Sequence, residues 1–262
     1  MLEKRFELAS GVLHPRIIAA VYGAEKTGKT HFALTAPAPI VFLSIDFGDE
    51  GVIQRFTGTK KIYKKEYTIP AGHKKSPDRL MEEATPVWEA LKSDFLYALE
   101  NARTVILDTE TEAWELCRLA RFGKLESVKP HNYTAVNREY KEAFIKAAYE
   151  NKANVIFIQR LKKLFIDDKF TGIFEQAGFA SLPFDVQVNI KTEVDHLNRF
   201  TLHVDNCRQN AKLRGARIIA LDDLKDDDTS AQNLIVTPSL SFKDLAALIL
   251  PQIPTEAWND TD

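Results

Sequence analysis

Eight residues, Gly23 to Thr30, read "GAEKTGKT" and set two glycines, a lysine and a threonine at the spacing G-x-x-x-x-G-K-T. Each residue type has its own use toward phosphate. Glycines let backbone N–H groups turn inward around phosphate oxygens, and a helix opening at the end of the loop adds positive potential. Lys29 can reach the β and γ phosphates, and the Thr30 hydroxyl can coordinate Mg²⁺. The candidate cradle is therefore Gly23, Ala24, Glu25, Lys26, Thr27, Gly28, Lys29 and Thr30, with His31 following. This chemistry needs a carboxylate to complete the metal shell. In "TVILDTET" an apolar run ends in Asp108, which a buried strand would deliver to the carboxyl edge of a sheet beside the loop. The competing role for Asp108 is to cap a helix that begins near Thr109. Two other strand ends carry suitable groups. Asp46, closing "VFLSID", is placed to orient an attacking water, with Glu50 as the competing base. Gln159, closing "NVIFIQ", can touch a γ-phosphate and report its loss to the segment that follows.

These groups need a scaffold whose strand ends converge. Apolar runs rich in β-branched residues alternate with longer helical patterns, which argues for a parallel sheet flanked by helices. Strands are expected over 16–22, 40–45, 104–108 and 154–159. Between them, "PDRLMEEATPVWEALKSDFLYALEN" reads as two helices parted by Pro86. "TETEAWELCRLARF" and "NREYKEAFIKAAYEN" carry apolar residues at helical spacing, with Trp114 on the core side. After Gln159, "RLKKLFIDDKFTGIFEQAGFASLPF" has no clear periodicity and is expected as a long loop. "DVQVNIKTEV", a "DHLNR" turn and "FTLHVDNC" then alternate like an antiparallel hairpin. The tail holds an acidic linker, "LDDLKDDDTS", and a short helix from Ser241, where "SFKD" offers an N-cap with an acid three residues on. The expected division is a core over 1–213, containing a lysine-rich insertion at 57–80, and a C-terminal extension over 214–262.

Composition bounds the possibilities. A chain of 262 residues with 45% hydrophobic and 27% charged residues can bury one sizeable core, and its net charge of -2 gives no global footprint for a polyanion. Binding to nucleic acid would have to come from local patches. No apolar run is long enough to span a bilayer, and "MLEKRFELAS" lacks the apolar core of a signal peptide, so an intracellular protein is expected. Cys117 and Cys207 fit a reducing compartment, and the six histidines show no metal-ligand spacing.

The phosphate loop, Asp108, Asp46 and Gln159 together resemble the RecA-like ATPases. In the bacterial recombinase the loop has Glu at its third position, matched by Glu25; a strand-end acid is matched by Asp46, and a strand-end Gln before a DNA-binding loop by Gln159. That acid is Glu in the recombinase, one methylene longer than Asp46. Within the class the chain is similar to phage-encoded RecA-like ATPases associated with single-strand annealing and recombination. The likeness spans 16–215 and includes "TETEAWEL", "NREYKEAF" and "DNCRQNAKLRG". It implies a RecA-like P-loop fold, mostly a parallel sheet flanked by helices, with an antiparallel hairpin at the C-terminal side. It also implies ATP and Mg²⁺ as cofactors, and slow, DNA-stimulated hydrolysis with Lys29, Asp46, Gln159 and Arg208 as catalytic residues. Single-stranded DNA would be the partner, held by Arg160, Lys162, Lys163 and Phe165. Self-association into a ring or filament would let Arg208 reach the next subunit's γ-phosphate. The location implied is the cytoplasm of an infected bacterial host, without membrane contact.

Other segments admit further readings. "TGTKKIYKKEYTIPAGHKKSPDR" holds six lysines and two tyrosines, which could contact a nucleic-acid backbone or form a solvated insertion. Phe6 and Ala9 in "FELA" resemble a segment by which some recombinases polymerise. Arg118 and Arg121 could form the arginine lid of a small-molecule kinase, and a nucleotide-switched motor, loading or packaging factor would share the whole ATP site.

Overall fold

The structure, a computed structural model, describes residues 13–71, 75–126, 128–167, 169–225, 228 and 233–261. Phe6 and Ala9 lie outside the described residues.

Four apolar runs form the centre of the molecule: β1 (Ile18–Gly23), β2 (Ile40–Ser44), β4 (Thr104–Asp108) and β5 (Asn154–Gln159). Successive side chains on a strand point to opposite faces. Val105, Leu107, Val155 and Phe157 accordingly enter one buried cluster, and Ile106, Ile156 and Ile158 enter the other. Both faces are covered, so these strands are apolar throughout rather than alternating. On one face lie α2 (Pro77–Asn101), α3 (Glu110–Phe122) and a helical rod made of α4 (Tyr133–Tyr140), a π turn at Lys141–Lys146 and α5 (Ala147–Glu150). The single turn α6 (Leu182–Asp185) adds Leu182 to the same cluster. On the other face lie α1 (Lys29–Leu34) and the last helix.

With β3 (Ile62–Glu66), β8 (Val188–Val194), β9 (Phe200–Cys207), β10 (Ala216–Ala220) and β11 (Leu234–Thr237), these strands make a nine-stranded sheet ordered β11-β10-β9-β8-β1-β5-β4-β2-β3. Six of its pairings are parallel, and β9 runs antiparallel to both β8 and β10. The sheet is mostly parallel and flanked by helices, and the β8–β9 hairpin stands at its C-terminal side as expected. Register then fixes the site. Tyr22 pairs with Gln159, Ile158 with Asp108, and Asp108 with Ser44. The carboxyl ends of β1, β5, β4 and β2 therefore align along one edge.

Four segments differ from expectation. Helix α2 runs unbroken for 25 residues through Pro86. Pro86 faces solvent, where the carbonyl it frees can meet water. Leu80, Ala84, Trp88, Leu91 and Phe95 pin both halves to one core. The segment after Gln159 is a separate two-stranded hairpin, β6 (Leu161–Ile166) with β7 (Lys169–Gln176). Most of its residues are exposed and its register shifts between Lys163 and Phe165, so no half-buried face gave a period of two. The lysine-rich insertion supplies edge strand β3, with Lys64 bound to Asp49 and Glu66, Lys65 to Asp94, and Lys75 to Glu83. Residues after 213 continue the fold: β10 and β11 extend the sheet, and α7 (Phe242–Ile249), capped by Ser241, buries Phe242, Leu245, Ala246 and Ile249 against the α1 face.

Candidate active site

The phosphate loop leaves β1 at Gly23 and enters α1 at Lys29. Gly28 precedes the helix at φ 87, a left-handed conformation that suits glycine. At Gly23 the constraint is space, because a Cβ there would collide with the Thr192 carbonyl oxygen of β8. Thr27 fastens the loop, its hydroxyl donating to Ala24 O at 2.8 Å and lying 2.7 Å from the Thr192 hydroxyl. Lys29 Nζ folds back over the loop to donate to Ala24 O at 2.6 Å and Gly23 O at 3.1 Å.

Thr30 Oγ1 donates to Asp108 Oδ2 at 2.7 Å, joining the loop to the end of β4. Asp108 is buried, and the neighbouring helix is capped by Thr109 instead, whose hydroxyl accepts from Glu112 N at 3.2 Å. Burial, with Asp46 adding to it, pushes the Asp108 carboxyl up to about 7 against the opposing pull of Thr30 and Lys29. Burial also lowers the Lys29 ammonium, opposed by Asp108, Asp46 and Glu25. A buried carboxylate beside a hydroxyl is a hard-oxygen donor pair, and it fits Mg²⁺.

Asp46 lines the same cleft, whereas Glu50 is exposed and away from it. Asp46 Oδ1 accepts from Gly48 N at 3.0 Å, and Oδ2 is paired with Arg160 Nη2 at 3.1 Å. The other arm of Arg160 is bound to Glu112. Burial works against its charge, but Glu112 and Asp46 hold the guanidinium above its usual range. Arg160 thus turns into the cleft rather than out along the hairpin. Gln159 goes the other way. Strand parity puts it on the α3 face, where Nε2 donates to Glu110 Oε2 at 2.8 Å and to Ala177 O at 2.9 Å. Glu110 also accepts from the Tyr140 hydroxyl and from Phe179 N, and burial pushes its carboxyl up to about 7.

The remaining sequence candidates lie further out. On the β6–β7 hairpin, Lys162 is paired with Glu175 at 3.2 Å, and Lys163 Nζ lies 5.5 Å from the Phe170 ring centre. Phe165, Phe170 and Phe174 form a row with ring centres 5.8 and 5.5 Å apart, and all three are exposed. Arg208 follows β9 at the sheet end opposite the loop, near Gln187, donating to Phe184 O at 3.1 Å and to the Tyr149 hydroxyl at 3.3 Å. Arg121 is bound to Glu89 and Glu139, and neither it nor Arg118 lines the cleft, so no arginine lid forms there.

The cleft measures about 1090 Å³, and its far wall comes from residues with no motif to mark them: Thr192, Phe200, Asp223 and Ser239 to Ser241. They are brought in by strand pairing from distant sequence. Asp223 is held there through its carbonyl, which accepts from Arg199 Nη1 at 2.8 Å.

Comparison with known proteins gives one family and several structures. The AAA domain family matches residues 16–222. No curated protein matches the sequence. Among solved structures, the chain is similar to the RadB recombinase at 13% identity, over 79% of this chain and 88% of that one, with a TM-score of 0.46. It is also similar to a second solved ATPase domain, at 13% identity, over 76% of this chain and 79% of that one, with a TM-score of 0.42.

Proposed function

The chain belongs to the AAA domain family, and from that premise we propose that it binds ATP with Mg²⁺ in the loop cleft and hydrolyses it slowly in response to single-stranded DNA. The observation that carries this reading is the Thr30–Asp108 contact at 2.7 Å beside Lys29 and Asp46 on one sheet edge. Backbone N–H groups between Gly23 and Thr30 would hold the phosphates, and Lys29 would leave its loop carbonyls for the β and γ oxygens. Thr30 and Asp108 would hold the metal ion, which when bound neutralises charge on the phosphates. Asp46 would orient the attacking water. Such sites act mainly by positioning and by stabilising charge in the transition state. Lys29→Ala is expected to abolish ATP turnover, and undiminished hydrolysis by that variant would refute the assignment.

Single-stranded DNA is proposed to lie on the hairpin, where Phe165, Phe170 and Phe174 offer faces for stacked bases and Lys162 and Lys163 offer charge. Titration of a labelled oligonucleotide should show binding that weakens steeply with salt, and Lys162→Ala with Lys163→Ala should weaken it about equally for any sequence. No binding at low salt, with or without ATP, would favour a nucleotide-switched loading or packaging factor over a role in phage-type recombination or annealing. Because Arg208 is remote from its own loop, its proposed catalytic role requires a neighbour in a ring or filament. Arg208→Ala should keep nucleotide affinity and lose hydrolysis, with partial recovery when mixed with Lys29→Ala.

A further inference from the structure

The first turn of α3 holds both roots of the hairpin. Arg160 N donates to Thr111 Oγ1 at 3.0 Å, that hydroxyl donates to Ala177 O at 3.2 Å, and Ala177 N donates to Arg160 O at 2.8 Å. Arg160 is thus the residue at which the hairpin begins, and its side chain occupies Asp46 Oδ2 while Gly48 N occupies Oδ1. A carboxylate with both oxygens engaged, one by a cation, is a poor acceptor for a water proton. The Arg160 side chain is 46% exposed, so this ion pair is one that a polyanion can exchange. Glu112 gives it a second seat on α3 when Asp46 is released.

We propose that Arg160 is a latch on Asp46: it keeps that carboxylate engaged while the hairpin is empty and yields it when a strand's phosphates draw on the guanidinium. This rests on the function proposed above and adds its regulation. Arg160 is a positioning residue here, acting through Asp46, and its contact with the strand is what releases that carboxylate.

The test measures ATP turnover with and without a deoxythymidine oligonucleotide, oligonucleotide affinity, and Tm. Arg160→Gln should raise DNA-free turnover several-fold and shrink the stimulation by DNA, and Arg160→Lys, which can still pair with Asp46, should return both toward wild type. Glu112→Gln removes the second seat and should lower DNA-free turnover. A fall in DNA-free turnover for Arg160→Gln would overturn the latch in favour of a phosphate-binding cation. Unchanged turnover with weaker oligonucleotide binding would overturn it in favour of a DNA contact with no hold on Asp46. The pair itself is read separately: Asp46→Asn and Arg160→Gln should lower Tm less in combination than the sum of the single changes, and strict additivity would also overturn the proposal. A wild-type chain that hydrolyses no ATP would instead refute the function proposed above.

Discussion

At the scale of single residues, the loop was legible because its chemistry is fixed by spacing. Gly23 shows the physical basis. A methyl group there would overlap the Thr192 carbonyl oxygen and lie 2.9 Å from Thr27 Oγ1. The first is a backbone atom locked in the β1–β8 ladder, so it cannot give way. Gly23→Ala should therefore cost about 1–3 kcal/mol of stability, the usual range for overpacking, and weaken ATP binding even though no phosphate-contacting side chain is removed. Thermal unfolding and a fluorescent-nucleotide titration would check both. Asp108 was legible too, since an apolar run that stops on a carboxylate leaves it few places to go. Gln159 and Arg160 were not. The end of the strand could be read from its apolar run, but not the direction of each side chain, and the parity of β5 sends Gln159 to the α3 face, where Glu110 takes its amide. Arg160 follows the strand and is drawn to two carboxylates.

At the scale of elements, helices α2, α3 and α4 are joined at Glu139, which accepts from the Trp88 indole at 2.8 Å, Lys92 Nζ at 2.9 Å and Arg121 Nε at 2.7 Å. Burial would raise this carboxyl, but Arg121, Trp88 and Lys92 outweigh it and hold it at about 2. The folded value lies below an unfolded value of about 4.3, so the contribution to stability is complete above that pH and is lost as pH falls toward the folded value. Between about pH 4.3 and pH 2, Tm should fall more steeply for wild type than for Glu139→Gln, which has no carboxyl to protonate. Parallel melting curves across that window would show it. The hairpin behaves oppositely. Among the described residues, strands β6 and β7 pair only with each other, and Leu161 stands directly opposite Gln176. Replacing residues 162–175 by a two-residue turn should leave Tm within a few degrees while removing oligonucleotide binding. The expected long loop and the expected break at Pro86 share one cause. Local pattern carries neither the pairing of an exposed hairpin nor the tertiary packing that carries a helix through a solvent-facing proline.

At the scale of the whole molecule, the C-terminal residues expected as an extension close the core around the loop helix. Phe242 N donates to Thr35 Oγ1 at 2.7 Å just past α1, and the Phe242 ring packs 6.4 Å from Phe32 and 6.3 Å from Trp258. Farther on, Asp260 Oδ1 accepts from Ala38 N at 2.7 Å and from Lys60 Nζ at 2.9 Å, tying the tail to the start of β2. Nothing in the acidic run "LDDLKDDDTS" announced this, because the apolar residues that dock lie beyond it and their partners lie some two hundred residues earlier. The α1 helix has six residues and cannot hold its orientation alone, so the direction it gives Lys29 and Thr30 depends on what packs behind it. Truncation after residue 213 should therefore give a chain that neither unfolds cooperatively nor binds ATP. Phe242→Ala is the gentler test. Emptying a fully buried aromatic site costs about 3–5 kcal/mol, and at about 2–4 °C per kcal/mol the loss should appear as a drop in Tm on the order of 10 °C. Because the vacated space lies directly behind Phe32, nucleotide affinity measured well below that lower Tm should fall as well. A variant that melts early yet binds ATP as tightly as wild type would show that α1 holds its orientation without the C-terminal helix.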